Sequence, residues 1–156
     1  MPIPPAQILR HLAELEEAGI RFYEGVRDGT QSEKVRDLAA MMVRAEARHK
    51  KRFLDYAARA GAESRLPDLR EMPPEIERLL AAKVFSAREQ AKRAATYASD
   101  IEMLKLAIRA EEQIAVLMNQ LRLFVTPSQR RYVDLVIKEE WTHKARLEQL
   151  VRSFSS

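Results

Sequence analysis

At 156 residues the chain has room for one domain with a sizeable core, residues 1–156 forming a single unit, and no second domain is implied. Hydrophobic residues make up 46% and charged residues 32%, with four glycines, a balance that suits packed helices better than disorder or a β-rich fold; the absence of cysteine excludes disulfides, thiolate metal ligands and a four-cysteine iron centre. The net charge of +4 is modest, and its densest cationic group, Arg44, Arg48, Lys50, Lys51 and Arg52, reads as a solvated helix face, so nucleic acid is not an expected partner.

The start, Met1-Pro2-Ile3-Pro4-Pro5, has neither the charged nor the apolar region of a signal peptide, and no stretch approaches the roughly 18 apolar residues of a membrane span. A cytoplasmic protein without membrane association is expected. Pro4 and Pro5 open a first helix predicted over 5–27, because a proline in the first turn lacks only an N–H that has no helical partner. Asp28-Gly29 ends it, Gly29 suiting the left-handed conformation that closes many helices. Thr30 and Glu33 have the spacing of a capping box and open a second helix that runs to about Ala60 and stops at Gly61. With so short a turn, the two pack antiparallel.

Residues 62–99 carry Pro67, Pro73 and Pro74, a short helical stretch around Glu75 to Lys83, and a further pattern beginning at Ser86. Such a segment is long enough to cross from one helical hairpin to the next. Ser99 with Glu102 caps the third bundle helix, which continues to about Phe124. Thr126-Pro127-Ser128-Gln129 combines a cap, a first-turn proline and a capping glutamine, opening a fourth helix to about Ser153. The predicted fold is all-α, an antiparallel four-helix bundle of two hairpins joined by a long crossover that contains a short helix.

A ladder of polar residues runs along these helices: Glu16, then Glu46 with His49, then Glu111, then Glu140 with His143. The second half repeats the first at an offset of 95 residues for the lone glutamate and 94 for each member of the pair. Glu and His three positions apart project from one helical face and can hold the same ion. With 23 acidic residues in 156, a histidine has a roughly 15% chance of an acid three positions earlier, so two of the three histidines meet the pattern by accident about one time in twenty.

Register sharpens the signal. Glu16 falls in the stripe Leu12, Leu15, Gly19, Phe22 and Val26, and Glu46 with His49 interrupts Val35, Leu38, Met42, Phe53 and Tyr56. Glu111 interrupts Leu104, Ala107, Ile114 and Met118, and Glu140 with His143 interrupts Val133, Val136, Leu147 and Leu150. All six are therefore predicted to point inward. A buried ionised carboxylate costs several kcal/mol unless it is paired or binds a metal, and two divalent cations would match the charge of four carboxylates while neutral imidazoles complete the coordination. The plain alternative, four solvated glutamates and two core histidines, requires six polar groups to fall in apolar stripes by coincidence.

These residues resemble the ferritin-like di-iron carboxylate superfamily, and within it the rubrerythrin-like branch, over nearly the whole chain. The likeness is carried by Glu16 seven residues before Tyr23, by the stretch Glu46 to Tyr56, by Ala107-Ile108-Arg109-Ala110-Glu111, and by Glu139-Glu140-Trp141-Thr142-His143. It implies two iron ions bridged by Glu46 and Glu140, with Glu16 and Glu111 as terminal ligands and His49 and His143 each holding one ion. Manganese or zinc are the substitutes such ligands accept. Glu139 is a candidate acceptor for the far nitrogen of His49, since ligating imidazoles usually have their other N–H held, an exposed helix position being the alternative. Tyr23, with Tyr56 and Tyr132, is a candidate to relay or quench an oxidising equivalent, or else simply packs.

Two departures stand out. Gly19 and Ile114 occupy the positions where strongly peroxidatic rubrerythrins carry an extra carboxylate, which removes the ground for their redox-linked ligand exchange. Met118 stands where Tyr23 stands in the first half, so the two metal environments differ. The function implied is a non-haem di-iron protein that oxidises Fe(II) with peroxide or dioxygen and draws electrons from an external donor. An oligomeric iron-storage protein remains an alternative, disfavoured by the lack of a clear fifth helix after the fourth and by a proline-broken crossover. So does a non-enzymatic metal-stabilised bundle that binds a partner. Trp141 and the apolar outer positions point to a homo-oligomer, a dimer being the simplest.

Overall fold

In a computed structural model of the chain, which describes residues 4–59, 72–96 and 99–155, the helices are α1 (Pro5–Gly29), α2 (Glu33–Arg59), α3 (Pro74–Arg93), α4 (Asp100–Leu121) and α5 (Pro127–Ser153). Single 3₁₀ turns at Ala94–Thr96 and Arg122–Phe124 flank α4, and there is no strand among the described residues. The all-α expectation holds. Helices α1, α3 and α5 each begin on a proline, whose fixed φ is already helical and whose missing N–H would have had no partner. Ser99 caps α4 by accepting from the Glu102 amide at 3.2 Å. At α5 the capping box is complete: Thr126 Oγ1 accepts from the Gln129 amide at 3.4 Å, and Gln129 Oε1 from the Thr126 amide at 3.0 Å.

The turn between α1 and α2 departs from expectation in two details. Gly29 is the last helical residue and does not take a positive φ; the chain leaves the helix at Thr30, which is extended and donates its amide to the Val26 carbonyl at 3.1 Å. Thr30 is also not the cap of α2. Its hydroxyl accepts from the Ser32 amide at 3.0 Å, and Ser32 Oγ accepts from the Val35 amide at 3.4 Å. The tight turn consumes the threonine locally and leaves serine, one residue before the helix, to cap it. Ala60, Gly61 and Pro67, assigned to the end of the second helix and to the crossover, lie outside the described residues.

The core divides into two apolar layers. One gathers Ile8, Leu9 and Leu12 from α1, Phe53 and Ala57 from α2, Leu117, Met118 and Leu121 from α4, and Val133 and Val136 from α5. The other gathers Phe22, Tyr23 and Val26, then Val35, Ala39 and Met42, then Met103, Leu104 and Ala107, then Leu147. The start of α1 therefore shares an end of the bundle with the finish of α2, the finish of α4 and the start of α5. The helices run up, down, down and up.

Because α2 ends where α4 cannot begin, the chain must travel the length of the bundle between them, and α3 makes that journey. It joins the first layer through Leu80 and Val84, packs on α1, and hands over to Ala94 in the second layer. The short helix expected here is one continuous helix of 20 residues, and at about 1.5 Å per residue it spans roughly 30 Å. Nothing between Lys83 and Ser86 interrupts it, because neither proline nor glycine falls between Pro74 and Arg93.

Candidate metal centre

Between the two apolar layers lies a polar one. Glu16 follows Leu15 by one residue on α1, Glu46 and His49 fall between Met42 and Phe53 on α2, Glu111 between Ala107 and Leu117 on α4, and Glu140 and His143 between Val136 and Leu147 on α5. The packed layers above and below leave these six side chains between 0% and 6% exposed. They form two groups whose ligand atoms all lie within 4.8 Å of one another: Glu16, Glu46, His49 and Glu140, and then Glu46, Glu111, Glu140 and His143. Glu46 and Glu140 belong to both groups.

The two imidazoles stack with centroids 6.0 Å apart and planes 24° from parallel, each turning Nδ1 toward carboxylates. His49 Nδ1 is 3.1 Å from Glu140 Oε1 and 3.5 Å from Glu16 Oε2. His143 Nδ1 is 3.4, 3.6 and 3.7 Å from Glu46, Glu111 and Glu140. Close as they are, these atoms do not meet in hydrogen-bonding geometry. Among the described residues, the buried side-chain atoms without a hydrogen-bond partner are eight, and all belong to this cluster: both oxygens of Glu16 and of Glu140, one each of Glu46 and Glu111, and Nδ1 of both histidines. Buried polar atoms are almost always satisfied, so eight orphans converging on one layer are in need of compensation that a bound cation could supply.

Protonation shows the same need. Burial, then repulsion from Glu46, raises the Glu16 carboxyl well above its ordinary range; burial, then Glu46 and Glu111, does so for Glu140. Burial would raise Glu111 as well, but Glu140, His143 and Tyr23 around it leave it lowered. Burial opposes a charged His143, yet Glu111, Glu140 and Glu46 outweigh it and push the imidazole up to about 12. His49 is raised against its burial by Glu140, Glu46 and Glu139. Without ions, protons take up the charge compensation that cations would supply.

Two further side chains touch the cluster. The buried Tyr23 donates its hydroxyl to Glu111 Oε1 and leaves Oε2 of that carboxylate facing His143. Glu139 Oε2 lies 2.5 Å from His49 Nε2, an acceptor that favours the proton on Nε2, so that in the neutral imidazole the Nδ1 lone pair would face the cluster. Gly19 faces the Glu46 side chain, and a methyl added there would meet it at ordinary contact distance, 3.4 Å from Oε2 and 3.6 Å from Cγ. Tyr132 and Tyr56 pack together at 5.6 Å with Arg52 over both rings.

Four carboxylates and two imidazoles, with no sulfur, form a donor set suited to iron, manganese or zinc, and each of the two groups could hold one such ion. No described helix is long and apolar enough to cross a membrane. A family model described as Rubrerythrin matches residues 7–151, a span that includes every residue of the cluster. Comparison with curated proteins and with solved structures finds no match.

Proposed function

Because the chain belongs to the rubrerythrin family, we propose that its buried cluster is a di-iron site whose ferrous form is oxidised by peroxide or dioxygen. In this reading Glu16 and His49 would hold one ion, Glu111 and His143 would hold the other, and Glu46 and Glu140 would serve both. The observation that carries the reading is the set of eight unpartnered atoms in two groups with two members in common. When bound, two ferrous ions supply the two electrons that, with two protons, reduce peroxide to two waters.

The protein's own contribution is positional. The two apolar layers keep the carboxylates dry and fixed, so that they offset cationic charge at close to full strength. Tyr23 holds one oxygen of Glu111 and so orients the other. Glu139, 38% exposed, links the buried His49 to the surface. These 156 residues hold no cysteine to build an iron–sulfur relay, so the electrons would come from a donor outside them.

Anaerobic loading with Fe(II), metal analysis and stopped-flow mixing with peroxide test the proposal. Two irons per chain, ferric absorbance rising on mixing, and one peroxide consumed per two irons are expected. Loaded protein that consumes peroxide no faster than the Glu46→Ala variant would overturn the redox reading.

A further inference from the structure

The half-repeat brings the six cluster residues into register but leaves their supports unmatched. The offset of 94 that carries Glu46 to Glu140 and His49 to His143 carries Ala45 to Glu139. Glu139, on α5, reaches across to His49 on α2. The position that should return the favour to His143 is therefore Ala45, a buried methyl with no acceptor. No hydrogen bond to His143 Nε2 forms among the described residues. Likewise the offset of 95 that carries Glu16 to Glu111 carries Tyr23 to Met118, so Glu111 accepts a phenolic proton and Glu16 meets no such donor.

We infer that the two ion positions fill in order, the Glu16–His49 position first and the Glu111–His143 position second, with Glu139 as the positioning residue that sets the order. This rests on the two-ion reading above. The chemistry runs the same way at both ends. An imidazole whose N–H is held by a carboxylate is fixed in tautomer and rotation and is the stronger base at its other nitrogen. A carboxylate that already accepts from a phenol has less electron density to give a metal. The Glu16–His49 position has the strengthened imidazole and a terminal carboxylate with both oxygens free. The opposite position has an imidazole whose Nε2 has no protein acceptor among the described residues and is left to solvent, and a terminal carboxylate with one oxygen engaged. The first position is therefore the tight one, and the second is the one that exchanges its ion.

Cobalt(II) is a suitable probe because its visible spectrum reports coordination without turnover. Metal-free protein is titrated calorimetrically and spectroscopically, and crystals grown with one equivalent of cobalt are measured at the cobalt absorption edge. Anomalous density is expected at the Glu16–His49 position, with a first binding constant about 10- to 100-fold above the second, the usual worth of a held imidazole N–H. Glu139→Ala should weaken the first step by that factor and leave the second unchanged, while Glu139→Gln, which keeps an acceptor, recovers most of the loss. Because Glu139 is 38% exposed, neither substitution disturbs the core. Density divided evenly, density at the Glu111–His143 position, or an unchanged first step in Glu139→Ala would each overturn the inference while leaving the two-ion reading intact. No cobalt at either position would overturn that reading itself.

Discussion

Glu140→Ala is expected to reduce the chain from two bound ions to at most one, and Glu46→Ala to do the same, whereas Glu16→Ala should retain the ion at Glu111 and His143. The asymmetry follows from membership: Glu46 and Glu140 stand in both ligand groups, while Glu16 and Glu111 stand in one each. Removing a shared carboxylate takes a donor from both positions and leaves three carboxylates to balance two divalent ions. Deleting one partner of a buried charge pair typically costs about 3–5 kcal/mol, so the pair of ions should bind about 100-fold more weakly or worse. Metal analysis after dialysis, with circular dichroism to verify the helices, reads the outcome. If Glu140→Ala keeps two ions as firmly as the parent chain, the shared-carboxylate arrangement is wrong.

A second large effect is expected on stability, with opposite pH dependence for the metal-free and loaded proteins. Glu16 and Glu140 have carboxyls raised above the ordinary 4.5 by burial and then by neighbouring carboxylates. Above about pH 4.5 the folded state therefore holds protons that the unfolded state has released, and stability falls as pH rises toward the raised values. His143, ordinarily near 6.5 and here pushed up to about 12, contributes stability that is complete below pH 6.5 and is lost as pH climbs through its folded value. His49, also raised, acts in the same sense. Glu111 is lowered, so its contribution is lost only on acidification below about 4.5. Between pH 5 and 8 every one of these groups therefore weakens or leaves unchanged the metal-free fold as pH rises, by up to about 1.4 kcal/mol per pH unit for each proton held only in the folded state.

Ions displace those same protons, so affinity and the stabilisation it brings increase with pH. The gap in Tm between loaded and metal-free protein should widen steadily from pH 5 to pH 8. Differential scanning calorimetry on both forms across that range measures it, and a gap that stays constant or narrows would contradict the assignment of these groups to an ion site.

Much of this could be read from sequence because it is local. Helix starts at Pro5 and Pro127, and the caps at Ser99 and Thr126, depend on residues within one turn of each other. The inward direction of the six cluster residues was legible for the same reason, since a helix of period 3.6 sets which positions share a face. Local reasoning failed where two local solutions competed: at Thr30 and Ser32 either hydroxyl could cap α2, and the tight turn from α1 settled it. It also broke α3 in two, because a surface helix that buries little beyond Leu80 and Val84 gives a faint stripe.

By itself, then, the order of residues determined which side chains face the core, at what height along each helix, and that two halves repeat. Which partners meet there was decided only when the hairpins packed. The Tyr23 bond to Glu111 spans 88 positions, and the His49 bond to Glu139, which the sequence offered as one of two readings and packing decided, spans 90. No periodicity within one helix encodes a contact of that range. It depends on the rotation and height at which the α1–α2 hairpin meets the α4–α5 hairpin, and those are set by the two apolar layers closing above and below the charged one.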